Sequence, residues 1–253
     1  MSKSEFLSMD GFRIDGRRAD EFRALHAEIG DVVGGADGSA YLECGLTKVK
    51  AYVYGPTHSK RRNLAASEKA TIQVEFMTAT FSTIDRKRKS KGDRSSVEKG
   101  LWIQRIFEHV ILTELFPRSQ IDICIEVLQQ DGSPVSTAIN AVTLALIDAG
   151  IPMRDLVVSC TVGAIDNKTM LVDLNNSESE KGAGAAQLLM AVLSRSGELC
   201  LCECESKLPM PSFELALEAV QTACNSAAAV LRSFAVEQAS KRLSSSLSKR
   251  SSR

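Results

Sequence analysis

The chain has 253 residues, 44% of them hydrophobic and 25% charged, with 31 basic and 31 acidic side chains that cancel. That composition belongs to a folded globular protein with a sizeable core, and it excludes a chain drawn to nucleic acid by bulk charge alone. No apolar run in it approaches the length of a membrane span, so no membrane partner is expected.

In chain order, residues 1–10 read as a flexible start, followed by Phe12-Arg13-Ile14-Asp15-Gly16-Arg17-Arg18. Alternating apolar positions predict strands over 39–44 and 47–54, the second stopped by Gly55-Pro56, and another over 71–81. A basic stretch from Arg86 to Arg94 leads into a helix. Its stripe of Ile103, Ile106, Phe107, Val110, Ile111 and Leu115 has helical spacing and runs up to Pro117. A strand is predicted over 119–130, with Ile121, Ile123, Ile125 and Val127 on one face.

The next segment, Gln129-Gln130-Asp131-Gly132-Ser133-Pro134-Val135, reads as a strand ending in a glycine turn that opens a helix over 134–149. Ser133 is a ready N-cap, Pro134 suits the first helical position, and Gly150 is a natural stop. The N–H groups at such a helix start favour an anion. Strands are then predicted over 155–164, 169–174, 187–194 and 198–206, and a closing helix over 211–243. The folded domain is expected to span 11–243, with the Ser, Lys and Arg run of 244–253 disordered. Strands alternating with helices imply a layered α/β or α+β fold.

Seven cysteines (44, 124, 160, 200, 202, 204 and 224) form an odd count, mostly within apolar elements, which points to a reducing intracellular compartment. Cys200, Cys202 and Cys204 alternate along one strand face. Their spacing is too close for the usual zinc pattern, so they are expected to pack as small hydrophobes and hold no metal.

Several short pieces, weak alone, occur in a joint order that resembles the RNase PH family over residues 11–243. They include Arg13-Ile14-Asp15-Gly16-Arg17-Arg18, Gly55-Pro56, Phe81-Ser82-Thr83, Gly92-Asp93-Arg94, Pro117-Arg118-Ser119-Gln120-Ile121-Asp122-Ile123 and Asp148-Ala149-Gly150-Ile151-Pro152-Met153. The resemblance implies an α+β fold of two βαβ-type halves with mixed sheets and packed helices. It further implies a ring subunit of the eukaryotic RNA exosome, equivalent to the catalytic ring subunit of the archaeal exosome. The implied partners are other RNase PH-like ring subunits, cap subunits with RNA-binding folds, a hydrolytic exoribonuclease and single-stranded RNA, in nucleus, nucleolus and cytoplasm.

Active members of that family carry Asp-Gly-Gly-Thr-Arg at the phosphate site, and Val135 stands where the arginine would be. They also show two aspartates six residues apart in the loop after the strand at Leu171-Val172-Asp173-Leu174. Aligned from the left, Ser179 and Ala185 fall there; aligned from the right, with a two-residue insertion, Lys181 and Gln187 do. Glu178 and Glu180, the only acids of this loop, read either as a relocated Mg²⁺ site or as a solvated turn. These departures lead to the expectation of a non-catalytic subunit, without cofactor, that threads RNA to a separate nuclease. The resemblance also assigns Lys60, Arg61, Arg62 and Arg94 to RNA phosphates in the channel, where cations grip the backbone without reading bases. His26, His58 and His109 share no spacing with a partner, and packing accounts for Trp102.

Overall fold

The computed structural model describes residues 8, 11–30, 35–58, 68–83, 86, 93–165, 169–181, 186–204 and 207–251. Lys60, Arg61, Arg62 and the stretch 1–10, Ser8 apart, lie outside them.

Strands β1 (Leu25–Ile29), β2 (Gly38–Cys44), β3 (Thr47–His58), β4 (Thr71–Thr78) and β5 (Ser119–Gln129) form one sheet in the order β1-β2-β3-β5-β4. All neighbours are antiparallel except β4 and β5, which are joined by helix α1 (Arg94–Val110) as a parallel crossover. Alternation decides which face is inside. Val49, Ala51 and Val53 of β3 and Ile121, Ile123, Ile125 and Val127 of β5 are buried, while Lys50, Tyr52, Asp122 and Glu126 between them are not. Helix α2 (Pro134–Ala149) packs over β2 and β3, and α1 over β4.

The second sheet, in the order β7-β6-β8-β9, comprises β6 (Val157–Ile165), β7 (Thr169–Val172), β8 (Ala186–Leu193) and β9 (Leu199–Cys204). Its pairings are all antiparallel, so the expected mixed sheet exists only in the first half. Strand β6 packs against both α2 and α4 (Met210–Ser251), and its residues 157–164 are buried on both faces. First sheet, α1 with α2, second sheet and α4 therefore follow one another as layers of an α+β fold.

Helix α2 is the axis of this arrangement. Every residue in it except Pro134, Ile147 and Ala149 is buried, as expected of a helix apolar on all sides. Two of its polar side chains bond to the second sheet. Asn140 exchanges hydrogen bonds with the backbone of Ser159 (Nδ2 to O 3.0 Å, N to Oδ1 2.8 Å), and Thr143 Oγ1 donates to Val157 O at 2.9 Å. On the other side, a Cβ at Gly38 would lie 2.4 Å from Ala145 O, so β2 approaches α2 as only glycine allows.

Three boundaries differ from expectation. Helix α1 stops at Val110 rather than Pro117, because Arg154 N–H takes the Val110 carbonyl at 2.9 Å and Ile111 turns extended to bridge Met153. Leu115, placed on the stripe, is consequently 60% exposed. Strand β3 continues past Gly55-Pro56 because a register shift between Tyr54 and Thr57 accommodates the pair. Helix α4 extends to Ser251, beyond the end expected at 243, and the Glu237–Lys241 pair at 2.8 Å supports the turn before 244.

Candidate functional site

The turn 131–133 between β5 and α2 is built by necessity rather than by an N-cap. Gly132 has φ +82°, and a Cβ there would sit 2.2 Å from Leu174 O. Ser133 itself is left-handed (φ 47°) and makes no side-chain cap, contrary to expectation; its Oγ donates instead to Leu174 O at 3.4 Å. The turn is thus pressed against the segment after β7, and the two form facing walls of a cavity of about 180 Å³. One wall is Gly132, Ser133, Pro134 and Val135; the other is Asn176 and Ser179 of the short helix α3 (Asn176–Lys181). Gln187 and Leu189 of β8, Glu203 of β9, Lys99 and Trp102 of α1, Gln130 and Thr161 complete it. Trp102, expected only to pack, therefore also presents a surface to the cavity.

The structure brings together one residue from each of the two alternative alignments of the loop after Leu174. Gln187 Nε2 donates to Ser179 Oγ at 2.5 Å, so the residues that meet are Ser179 from the left-hand alignment and Gln187 from the right-hand one. Neither side chain is acidic.

Glu178 is neither a metal ligand nor a solvated turn. It is 2% exposed and takes a bidentate ion pair from Arg13, whose Nε lies 2.8 Å from Oε1 and whose Nη2 reaches Oε2. Arg13 also donates to Val172 O at 2.5 Å and to Asp173 O at 3.2 Å. Beside it, Arg23 grips Asp173 with Nε and Nη2, both at 2.7 Å. Burial works against the Arg23 charge, but the Asp173 carboxylate more than offsets it and holds the guanidinium above its ordinary pKa. Burial, reinforced by the same carboxylate, pushes the Cys44 thiol up, consistent with a neutral Sγ–H donating to Asp173 Oδ2 at 3.4 Å.

This donor set does not fit the divalent ion implied for active relatives. Glu203 is the one carboxylate among the lining residues; Asp173 and Glu178 nearby are engaged by arginines, and Ser179 and Gln187 are neutral and bonded to each other. Among the described residues no cluster of His, Cys, Asp and Glu could hold a metal; the Glu180 side chain lies outside them. What the cavity offers is amide, hydroxyl and indole groups, with the ammonium of Lys99 and the carboxylate of Glu203, around the start of a helix whose first N–H groups have no intrahelical partner.

Of the RNA-contact residues, Arg94 is described and exposed. It opens α1, five residues before Lys99, or about 7.5 Å along the helix axis from the cavity wall. His58 ends β3 away from the cavity, and exposed His26 lies 3.6 Å from Glu28. The arginine network went unread in the sequence. Its only trace was the Arg13 to Arg18 motif, in which Arg13 and Arg17 turn out to face the chain segment at 172–178.

Compared with protein families, residues 21–152 match domain 1 and residues 155–223 match domain 2 of the 3′ exoribonuclease family, RNase PH. The chain is 49% identical over 225 residues to the mouse exosome complex component RRP41, covering 88% of this chain and 90% of that one. In structure it is similar to rice Rrp46 (TM-score 0.77, 22% identity, 88% of this chain and 100% of that one). It is likewise similar to an Archaeoglobus fulgidus exosome chain solved with RNA bound to the active site (TM-score 0.72, 21% identity, 86% and 91%). These matches overturn the expectation of a non-enzyme. The family that claims both halves is described by its exoribonuclease activity, and the departures read in the sequence at Val135 and in the loop after Leu174 do not establish that activity is lost. With both domain models matched and close identity across most of its length, the chain belongs to the RNase PH family of 3′ exoribonucleases.

Proposed function

We propose that this chain is a ring subunit of an exosome-type assembly that processes and degrades RNA from the 3′ end, and that it holds single-stranded RNA on the way to a nuclease site. Its partners would be other RNase PH-like subunits, cap subunits with RNA-binding folds and an associated hydrolytic nuclease, in nucleus, nucleolus and cytoplasm. The observation that carries the reading is a polar cavity at the start of α2, lined by Trp102 and reached along α1 from the exposed Arg94. Indole offers a stacking face to any base, and an exposed guanidinium suits a phosphate backbone. Lys60, Arg61 and Arg62 belong to the same proposal on the strength of the family resemblance.

The test is the salt dependence of RNA binding by the assembled ring. Each phosphate contact contributes about −0.7 to the log–log slope for a single strand. Arg94→Glu should flatten the slope by about one such contact, and the combined change at Arg61, Arg62 and Arg94 by more. Degradation of long RNAs should slow while ring assembly survives. An unchanged slope would remove these residues from the RNA path.

A second reading, favoured by the family description, is that this subunit itself is a phosphate-dependent 3′→5′ exoribonuclease. Incubating the ring with end-labelled RNA, with and without inorganic phosphate, separates the two. Phosphate-dependent release of nucleoside diphosphates that depends on this subunit's cavity residues would establish the second.

A further inference from the structure

We propose that Arg23, which does not line the cavity, is the positioning residue that sets the spacing of its two walls; the inference rests on the reading of this cavity as an RNA-holding site. One guanidinium reaches the root of both walls. On one side it grips Asp173 bidentately, and the Arg23 backbone N–H adds a third bond to Asp173 Oδ2 at 3.1 Å. Asp173 has φ +53°, a left-handed conformation unusual for a residue with a side chain, and the chain leaves it directly into Leu174–Ser179.

On the other side Arg23 donates to the carbonyls of Asp131 (Nη1) and Gly132 (Nη2, 3.4 Å), the two residues that lead into Ser133–Val135. Thr47 Oγ1 completes the bracket. It donates to Gly132 O at 2.8 Å, accepts from Asp131 N–H at 3.1 Å and accepts from Arg23 Nη1 at 3.3 Å.

The bonds running directly between the walls are long: Asn176 N–H to Asp131 Oδ1 at 3.3 Å and Ser133 Oγ to Leu174 O at 3.4 Å. The short, charge-assisted bonds are those that Arg23 makes to Asp173 on one side and to the Asp131 carbonyl on the other. The wall separation is therefore governed from beneath, by a residue 150 positions away in sequence from Asp173.

Arg23→Lys keeps a positive charge for Asp173 but cannot span to the 131–132 carbonyls, since an ammonium is a point donor and not a fork. Thr47→Val removes the other half of the bracket at nearly constant volume, and Thr47→Ser restores its hydroxyl. Trp102, the only tryptophan of the chain, reports on the cavity. In the full chain without RNA, acrylamide quenching of Trp102 should change in Arg23→Lys and in Thr47→Val and return to the parent value in Thr47→Ser. With a short oligouridylate as probe, the assembled ring carrying either of the first two variants should bind about tenfold or more weakly, the scale of loss that follows from ångström misplacement. Its salt slope should stay that of the parent, because no phosphate contact is removed.

A purely structural role predicts instead a lowered melting temperature with quenching and affinity of the folded fraction unchanged, and that result overturns the proposal. If Arg23→Lys does not fold, the Thr47 pair decides by the same readouts. If the parent ring binds no oligouridylate, the RNA reading falls, while the quenching series still upholds or overturns the positioning role.

Discussion

At the scale of single residues, the chemistry of this cavity is set by what the carboxylates are already doing. Glu178 looked available in the sequence, yet both its oxygens face Arg13, and the pair's side chains are 1% and 0% exposed. Removing one member of such a pair leaves the other buried and uncompensated. Glu178→Ala should therefore lower unfolding free energy by about 3–5 kcal/mol, measurable by urea denaturation of the full chain. A loss of metal affinity without a loss of stability would instead revive the metal-ligand role. The Ser179–Gln187 bond at 2.5 Å teaches the same lesson from the other direction. Neither linear alignment paired these two residues, because an insertion in the middle of a loop shifts one end without moving the other.

At the scale of elements, α4 and β9 carry the testable consequences. Near its end α4 is tied by Gln238 Nε2 to Ile29 O at 2.6 Å and by Arg242 to the Asp148 carboxylate. Deleting 244–253 should leave the thermal midpoint nearly unchanged. Deleting from 238 onward strips partners from buried acceptors and should cost about 1–3 kcal/mol, read by differential scanning calorimetry. Strand β9 is an edge, with Leu199 half-exposed and Cys202 and Cys204 exposed. Cys44, Cys160 and Cys224 are buried, and burial pushes the Cys224 thiol up to about 12. A thiol reagent at pH 8 should thus modify Cys202 and Cys204 in the native chain and reach the buried three only on unfolding. Fast labelling of Cys224 in the folded protein would contradict this packing.

At the scale of the whole molecule, two sheets share one central helix, and among the described residues each sheet ends in strands with an unpaired side: β1 and β4 in the first, β7 and β9 in the second. Open edges and the exposed Leu199 are an aggregation hazard when nothing covers them. The chain expressed alone is expected to be poorly soluble and to be rescued by co-expression with an RNase PH-like partner. A stable, monodisperse monomer at high concentration, by light scattering, would argue against a ring subunit.

The sequence by itself determined the elements whose signals are local. Helix α2 has the bounds read from Pro134 and Gly150, and β5 falls within one residue of its alternating pattern, because a proline start, a left-handed glycine stop and period-two burial each act within a few residues. The family resemblance, too, was legible in the order of short motifs. Only the tertiary structure decided the rest. Strand β1 exists because Leu25–Ile29 finds β2 to pair with, α3 forms in a stretch read as loop, and α1 ends where residues 153–154 capture its last turn. The arginine bracket joins positions 165 and 150 residues apart, and no local propensity encodes such a meeting. It is created when the two sheets close on α2 and burial compels each charge to take the partner within reach.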